Sequence, residues 1–214
     1  MPWSLLLVVA LGAVVGAVAG WAGRRLLARL RRGVALRPPV LELAAAGVTA
    51  VGVGVTWPAP TVVLVGWAGL LLVVLGAVDI AVHRLPDALT LPAIPITAGL
   101  VVGTGLAAPS AGDPWTALVV AVVVTALFAG VAALAPRAMG RGDVKLVPTP
   151  ALVTGFLSVP AAVWWLVLAF GIGALVAVTG LVTRRLHPGS AIPFGPCLLA
   201  GGWVVVAWPD PFLA

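Results

Sequence analysis

Two aspartates, Asp79 and Asp143, are the residues of this 214-residue chain whose type and placement point most directly to chemistry. Asp79 ends the apolar run 70–78, and Asp143 follows two glycines spaced two residues apart in the segment 140–143. Two carboxylates held within a few ångströms cannot both ionise easily, so they share one proton. One then activates a water molecule as a general base, while the other acts as a general acid. This is the chemistry of aspartic proteolysis.

The composition limits the class of protein that could hold such a pair. Hydrophobic residues make up 62% of the chain and charged residues only 8%, against about a quarter in soluble domains. That polar content cannot cover a globule in water, which excludes a soluble enzyme, a disordered chain and a disulfide scaffold. With one cysteine, Cys197, and no HExxH motif, we expect no zinc centre, no other metal and no cofactor.

Eight apolar stretches divide the chain, with short polar or Pro/Gly-containing breaks between them. They are 3–23, 40–57, 61–79, 89–108, 115–135, 146–158, 160–183 and 191–208. A spanning helix needs about 20 apolar residues, so the length fits about eight short spans. We therefore predict an all-α, polytopic membrane protein of about eight transmembrane helices, forming one membrane-embedded domain over 1–214.

The basic residues predict how these spans are oriented. If the N-terminus lies outside, the inside loops are 24–39, 80–88, 136–145 and 184–190. Those loops hold all 12 Lys and Arg residues, whereas the outside loops carry only Asp113 and Asp210. Lys and Arg concentrate on the cytoplasmic side, so both termini are expected outside. The net charge of +6 is then a topology signal and predicts no nucleic-acid partner.

Proline marks three of the stretches as irregular helices. The sixth stretch is short and opens with Pro148 and Pro150, and further prolines lie in the fourth and eighth stretches. Proline kinks or breaks helices, and non-helical backbone at membrane depth needs a protein or water-filled environment. All three stretches start from the predicted cytoplasmic side, which indicates a cavity that opens there.

Each acidic residue also has a structural explanation. Asp79 could be an interfacial helix-end residue paired with Arg84, and Asp143 could cap a helix in a plain turn. Asp87 directly precedes a span, which favours an N-cap role. Glu42 is expected at the interface, paired with an arginine of the first loop. The two acids of the outside loops are expected to be solvated.

Three motifs together make the chain resemble the prepilin peptidases, the type IV leader peptidase family of GxGD membrane aspartic proteases. The first is Asp79 followed by 85–92 (LPDALTLP), the second is 140–146 (GRGDVKL), and the third is 192–196 (IPFGP). They occur in the family's order, and the resemblance covers roughly residues 60–208.

The resemblance implies a role for each motif residue. Asp79 and Asp143 would be the catalytic pair of a membrane aspartic endopeptidase. The supporting motif residues are Gly140, Gly142, Lys145 and Asp87, and Lys145 would orient the loop or tune Asp143. The substrate cleft would be lined by Pro193, Phe194, Gly195 and Pro196.

The resemblance also implies partners and a location. The substrates would be prepilins or pseudopilins of a type IV pilus or a protein secretion system. The enzyme would lie in the lipid bilayer of the bacterial inner membrane. It would remove a basic leader at the cytoplasmic face, where the topology places both aspartates.

The first loop departs from the family pattern. Many members carry a cytoplasmic insert there with paired CxxC motifs for zinc, and they also methylate the new N-terminus. Here 24–39 is short, rich in arginine and free of cysteine. A Cys₄ zinc site is impossible with one cysteine, so we predict a peptidase without N-methyltransferase activity. The arginines then serve as a topology anchor or contact anionic lipids.

Two other functions fit parts of the sequence. A small proton-coupled carrier also uses intramembrane acids and proline-broken helices. A carrier usually holds its charged residues near the bilayer midplane and is often built from two repeated halves. Here Asp79 and Asp143 fall at predicted span ends, and no internal repeat is visible. An inactive homologue could act as a membrane assembly factor, although both aspartates are intact.

Overall fold

The fold is all-helical over the residues that the computed structural model describes, which are 3–29, 37–83, 85–135, 139–187, 190 and 192–212. The α-helices of this part are α1 (Trp3–Arg29), α2 (Val40–Thr56), α3 (Val62–Val82), α4 (Asp87–Ala107), α5 (Pro114–Leu134), α6 (Arg141–Leu146), α7 (Pro148–Leu157), α8 (Val159–Val182) and α9 (Gly195–Ala207). Short 3₁₀ turns lie at Pro109–Ala111 and Asp210–Phe212. The predicted all-α class is therefore confirmed.

Five of these helices are long and apolar enough to cross a membrane: α1, α3, α4, α5 and α8. Helices α2 and α9 are apolar but shorter, with 17 and 13 residues. The chain is a multi-pass membrane protein. The number of eight spans and the side on which the termini lie stay predictions.

Helix α1 is longer than its apolar stretch. We expected a span over 3–23, but the helix continues to Arg29 and has 27 residues. At about 1.5 Å per residue it is about 40 Å long, more than the hydrocarbon core of about 30 Å. Arginine is a good helix former, so the basic segment extends the helix. Arg24, Arg25 and Arg29 thus lie on the helix and not in a loop.

Helices α1 and α2 form a hairpin packed through small residues. Gly12, Gly16 and Gly20 form a buried stripe on α1. A methyl group added at Gly16 would lie 2.5 Å from the carbonyl oxygen of Ala45, so the two backbones nearly touch. The buried hydroxyl oxygen of Thr49 lies 2.8 Å from the carbonyl oxygen of Gly12. Small residues and such polar contacts are typical of helix pairs in membranes.

The short helix α7 lies in the middle of the remaining helices. Its residues from Thr149 to Phe156 are all buried, and it contacts α4, α5, α8 and α9. The predicted sixth stretch is thus broken at Val147, where α6 ends and Pro148 opens α7. Trp165 of α8 is also fully buried, and its indole Nε1 donates to the carbonyl oxygen of Leu198 on α9 at 2.9 Å. Both helices α7 and α9 are therefore enclosed by longer ones.

The α1–α2 hairpin meets α3 near the end of α3. Leu27, Leu41 and Val78 bury their side chains together and join the three helices. Beside them, Nε of Arg24 donates to Oε1 of Glu42 at 2.6 Å, as we expected for Glu42 and an arginine of the first basic segment. Because Val78 precedes Asp79 in the chain, this contact lies at the same end of the bundle as Asp79. We call this end the motif end.

Candidate active site

Asp79 lies at the motif end, in the last turn of α3. Its side chain is buried, and the residue is only 6% exposed. The helix ends at Val82, because His83 adopts a left-handed conformation with φ 51°. The N–H of His83 donates to the carbonyl oxygen of Asp79 at 2.8 Å. The alternative pairing with Arg84 falls on a residue outside the described part of the chain. Burial of an acid in an apolar bundle is costly unless the acid has a partner.

The backbone of Gly195 is such a partner. Gly195 is the first residue of α9, and its N–H donates to Oδ2 of Asp79 at 3.2 Å. The first N–H groups of a helix have no acceptor within the helix, so this donor is available to a carboxylate. A methyl group at position 195 would lie 2.8 Å from the same oxygen. Glycine is therefore required for this approach, and the third motif contacts the first.

Asp143 lies on the six-residue helix α6, in its first turn. Gly140 occupies the N-cap position with φ −70° and ψ 139°, a conformation that any residue can adopt. The alternative in which Asp143 itself caps the helix is therefore wrong, and the segment does not use the conformational freedom of Gly140. The absence of a side chain at Gly140 matters for space, since a methyl group there would lie 3.0 Å from Oδ2 of Asp143.

The two aspartates interact through their charges. Asp143 precedes the sixth apolar stretch, and burial together with the nearby charge of Asp79 raises the pKa of its carboxyl to about 6. The hydrogen bond at Gly140 works in the opposite direction and lowers this pKa. A carboxyl group that keeps its proton up to about pH 6 beside a second carboxyl can act as an acid or share its proton.

Leu85 joins all three motifs, and sequence reasoning missed it. Its side chain is 9% exposed and contacts the positions of both Gly142 and Gly195. A methyl group at Gly142 would lie 3.5 Å from its Cβ, and one at Gly195 would lie 3.4 Å from its Cδ1. The available signal was its place directly before Pro86 in the first motif. An apolar residue in an apolar chain did not stand out.

Lys145 and Asp87 form an ion pair that joins the first motif to the second. The ammonium Nζ of Lys145 lies 2.7 Å from Oδ1 and 2.8 Å from Oδ2 of Asp87. Asp87 is the first residue of α4, and Pro86 occupies the N-cap position without any side-chain cap. The prediction that Asp87 serves as an N-cap is therefore wrong. In the described part of the chain, the hydrogen-bond partner of Lys145 is Asp87 and not Asp143.

The third motif also packs against α8. The ring of Phe194 lies 5.1 Å from that of Phe170, and it faces Gly173 on the same helix. Pro196 lies against α3 at Gly76, and Pro193 precedes α9. These contacts hold the start of α9 in place, with Gly195 at Asp79. A role of this segment in lining a substrate cleft stays a prediction.

Residues 63–181 match the model of the type IV leader peptidase family. The chain belongs to the type IV leader peptidase family. The matched segment contains both Asp79 and Asp143, whereas Gly195 and the whole α1–α2 hairpin lie outside it. This finding confirms the resemblance carried by the three motifs.

Curated relatives agree with the family assignment. The chain is 28% identical over 186 residues to the prepilin leader peptidase/N-methyltransferase of Stutzerimonas stutzeri, with 85% of this chain and 62% of the relative covered. It is 31% identical over 181 residues to the protein of the same name from Pseudomonas aeruginosa, covering 81% and 59%. For the Bacillus subtilis protein of that name the identity is 28% over 145 residues, covering 67% and 55%.

The chain thus spans about 60% of the length of the relatives from Stutzerimonas stutzeri and Pseudomonas aeruginosa. No solved structure matches it significantly.

The remaining acids differ from the two aspartates of the site. Asp113 is exposed and caps α5, where its carboxylate accepts from the N–H groups of Trp115 at 3.1 Å and Thr116 at 2.9 Å. These hydrogen bonds, led by one from the Thr116 hydroxyl, lower the pKa of Asp113. Asp210 begins a 3₁₀ turn and is exposed, as expected for a solvated loop residue.

Proposed function

We propose that this protein is a membrane aspartic endopeptidase that removes the leader from prepilin-like or pseudopilin substrates. The observation that carries the proposal is that the charge of Asp79 acts on Asp143 at the motif end, where Leu85 packs against both Gly142 and Gly195. Membership of the type IV leader peptidase family supports it. So do the relatives whose names include prepilin leader peptidase.

The proposed mechanism divides the work between the two carboxyl groups. Asp143 carries the shared proton, in keeping with its raised pKa of about 6. Asp79 is the base, because the hydrogen bond from Gly195 supports a negative charge on Oδ2. Asp79 takes a proton from a water molecule, whose oxygen attacks the peptide carbonyl carbon while Asp143 protonates the carbonyl oxygen. The tetrahedral intermediate then gives a hydroxyl proton back to Asp143 and expels the amine, which takes up the proton held by Asp79.

We also propose that cleavage occurs on the cytoplasmic side of a bacterial inner membrane. Arg24, Arg25, Arg29 and Lys145 all lie towards the motif end, and basic residues mark the cytoplasmic side. An apolar substrate helix would reach the two aspartates from the bilayer, with its leader outside the hydrocarbon. The whole described chain would then work as one membrane-embedded peptidase domain.

The proposed enzyme uses no metal and no cofactor, and it lacks N-methyltransferase activity. The relatives carry both activities in their names. In this chain the segment between α1 and α2 holds no cysteine, and the single cysteine of the whole sequence lies on α9. A Cys₄ site for zinc therefore has no ligands here.

The experiment is a cleavage assay in membranes. The chain is co-expressed with a prepilin-like protein from the same genome, and loss of the leader is followed on a gel. We expect the wild type to cleave, and Asp79→Asn and Asp143→Asn each to lose about 10³-fold or more in rate. The matched control is Asp113→Asn, because Asn also caps helices well and this acid lies on the exposed start of α5.

Three results would contradict the proposal. Cleavage by both inserted Asn variants at the wild-type rate would exclude the dyad. Failure of the inserted wild type on every candidate substrate would favour an inactive assembly factor. Proton-coupled uptake of a solute by proteoliposomes, without cleavage, would favour a carrier.

A further inference from the structure

We propose that the Lys145–Asp87 ion pair sets the position of Asp143 relative to Asp79, so that Lys145 and Asp87 are positioning residues of the site. The inference rests on the proposed function for its rate test, but its second test does not require cleavage. It gives a role to Lys145 and Asp87, although neither residue forms a hydrogen bond to Asp79 or Asp143 in the described structure.

The helix that carries Asp143 is too short to hold its own orientation. Helix α6 has six residues, and isolated helices below about 12–15 residues are marginal even with favourable sequences. Its orientation must therefore come from contacts with other elements. These contacts include the buried side chain of Leu146, the packing of Leu85 against Gly142, and the ion pair.

Asp143 and Lys145 point to opposite sides of this helix. They are two residues apart, and residues at this spacing do not face each other on an α-helix. Asp143 faces the interior, where the charge of Asp79 acts on it. Lys145 faces Asp87 on the other side. A contact on one side of a short helix fixes the rotation of the other side, so the ion pair fixes the direction of Asp143.

The partner of Lys145 is itself tied to Asp79 through the chain. Asp87 opens α4 only eight residues after Asp79, and Leu85 between them is buried against Gly142 and Gly195. Both charges also lie at favourable helix ends, with the carboxylate at the start of α4 and the ammonium near the end of α6. The pair therefore connects the two segments that carry the aspartates.

The side chains of the pair are 41% and 57% exposed, so it adds little to global stability. We expect Lys145→Met and Asp87→Asn each to lower kcat about fivefold, with KM and Tm nearly unchanged. The double variant is expected to lose no more than either single variant. Lys145→Arg and Asp87→Glu, which keep the charges, are expected to retain most of the activity.

The control for simple loss of a cation is Arg25→Met. Arg25 lies over the ring of Trp21 on α1, 4.7 Å from its centroid, and it is not part of the site. We expect this variant to keep the wild-type kcat. A loss equal to that of Lys145→Met, or additive losses in the double variant, would overturn the proposal.

The second test titrates the carboxyl of Asp143 by infrared spectroscopy in lipid nanodiscs, using Asp143→Asn to identify its band. Direct electrostatics predicts opposite effects, since loss of the Lys145 cation would raise the midpoint and loss of the Asp87 anion would lower it. Positioning predicts the same effect in both variants. The midpoint falls towards the ordinary carboxyl range as α6 moves Asp143 away from Asp79. Opposite shifts, or no shift in either variant, would overturn the proposal.

Discussion

The α1–α2 hairpin and the contact between α3 and α9 both bring helices together through glycine, but with different consequences. In the hairpin, Gly16 faces the backbone of Ala45, and the gain is close packing. At the motif end, Gly195 faces the carboxylate of Asp79, and the gain is a hydrogen bond to a buried acid. Glycine thus allows close helix packing in one region and a hydrogen bond to a buried acid in the other. The group that lies opposite the glycine determines which of these two effects it has.

Of the variants that distinguish these two regions, Gly195→Ala is expected to have the largest effect on the rate of cleavage. The new methyl group would lie 2.8 Å from Oδ2 of Asp79, so the carboxylate or the start of α9 must move. We expect cleavage to fall about 100-fold, as misplacement of a reacting group by about 1 Å does. The measurement is the initial rate of leader removal per folded enzyme.

The matched control for that variant is Gly99→Ala on α4. Nothing lies within 4 Å of a methyl group at Gly99, so we expect the wild-type rate. Equal rates for the two variants would show that the approach of Gly195 to Asp79 has no role in cleavage.

The opposite result is expected from Gly16→Val in the hairpin. Its side chain would collide with the backbone of Ala45 and with Thr49, so α1 and α2 must separate. We expect Tm in detergent to fall by several degrees, while kcat of the folded fraction stays within about twofold. Gly47→Ala on α2, where a methyl group meets nothing within 4 Å, is expected to keep the wild-type Tm. A loss of kcat without a loss of Tm would mean that the hairpin takes part in the site.

The sequence predicts the regions of the fold that depend on hydropathy. Apolar stretches gave the positions of the long helices, because burial in lipid depends on local composition. They did not give the end of α1 at Arg29, because a charged segment can stay helical beyond the apolar part. Nor did they show α6 as a separate helix, because it begins at Arg141 in the polar segment and ends where Pro148 opens α7.

The acidic residues of the candidate site can be predicted from the sequence, but the residues that contact the site across long distances in the chain cannot. The type and placement of Asp79 and Asp143 indicate the chemistry without any structure. The Lys145–Asp87 pair joins residues 58 positions apart, and Gly195 reaches Asp79 across 116 positions. Such contacts depend on how helices pack. For this reason the role of Leu85 was missed. The N-cap expected for Asp87 was wrong because α4 begins at Asp87 itself, with Pro86 in the N-cap position.

We propose that Asp79 and Asp143 act as one coupled unit, and an infrared titration of Asp143 with and without Asp79 measures this coupling. Burial and the charge of Asp79 raise the pKa of Asp143 from 3.8 to about 6, so its carboxyl holds a proton below this pH and loses it above. The shared proton, and with it cleavage, is therefore expected to be lost as the pH rises through the upper apparent pKa of the pair.

Asp79→Asn removes the negative charge but leaves the burial. We predict that the midpoint of Asp143 falls in this variant, yet stays above 3.8. A midpoint that does not change, or that rises, would show that the two carboxyl groups do not interact, and the proposed dyad would be wrong.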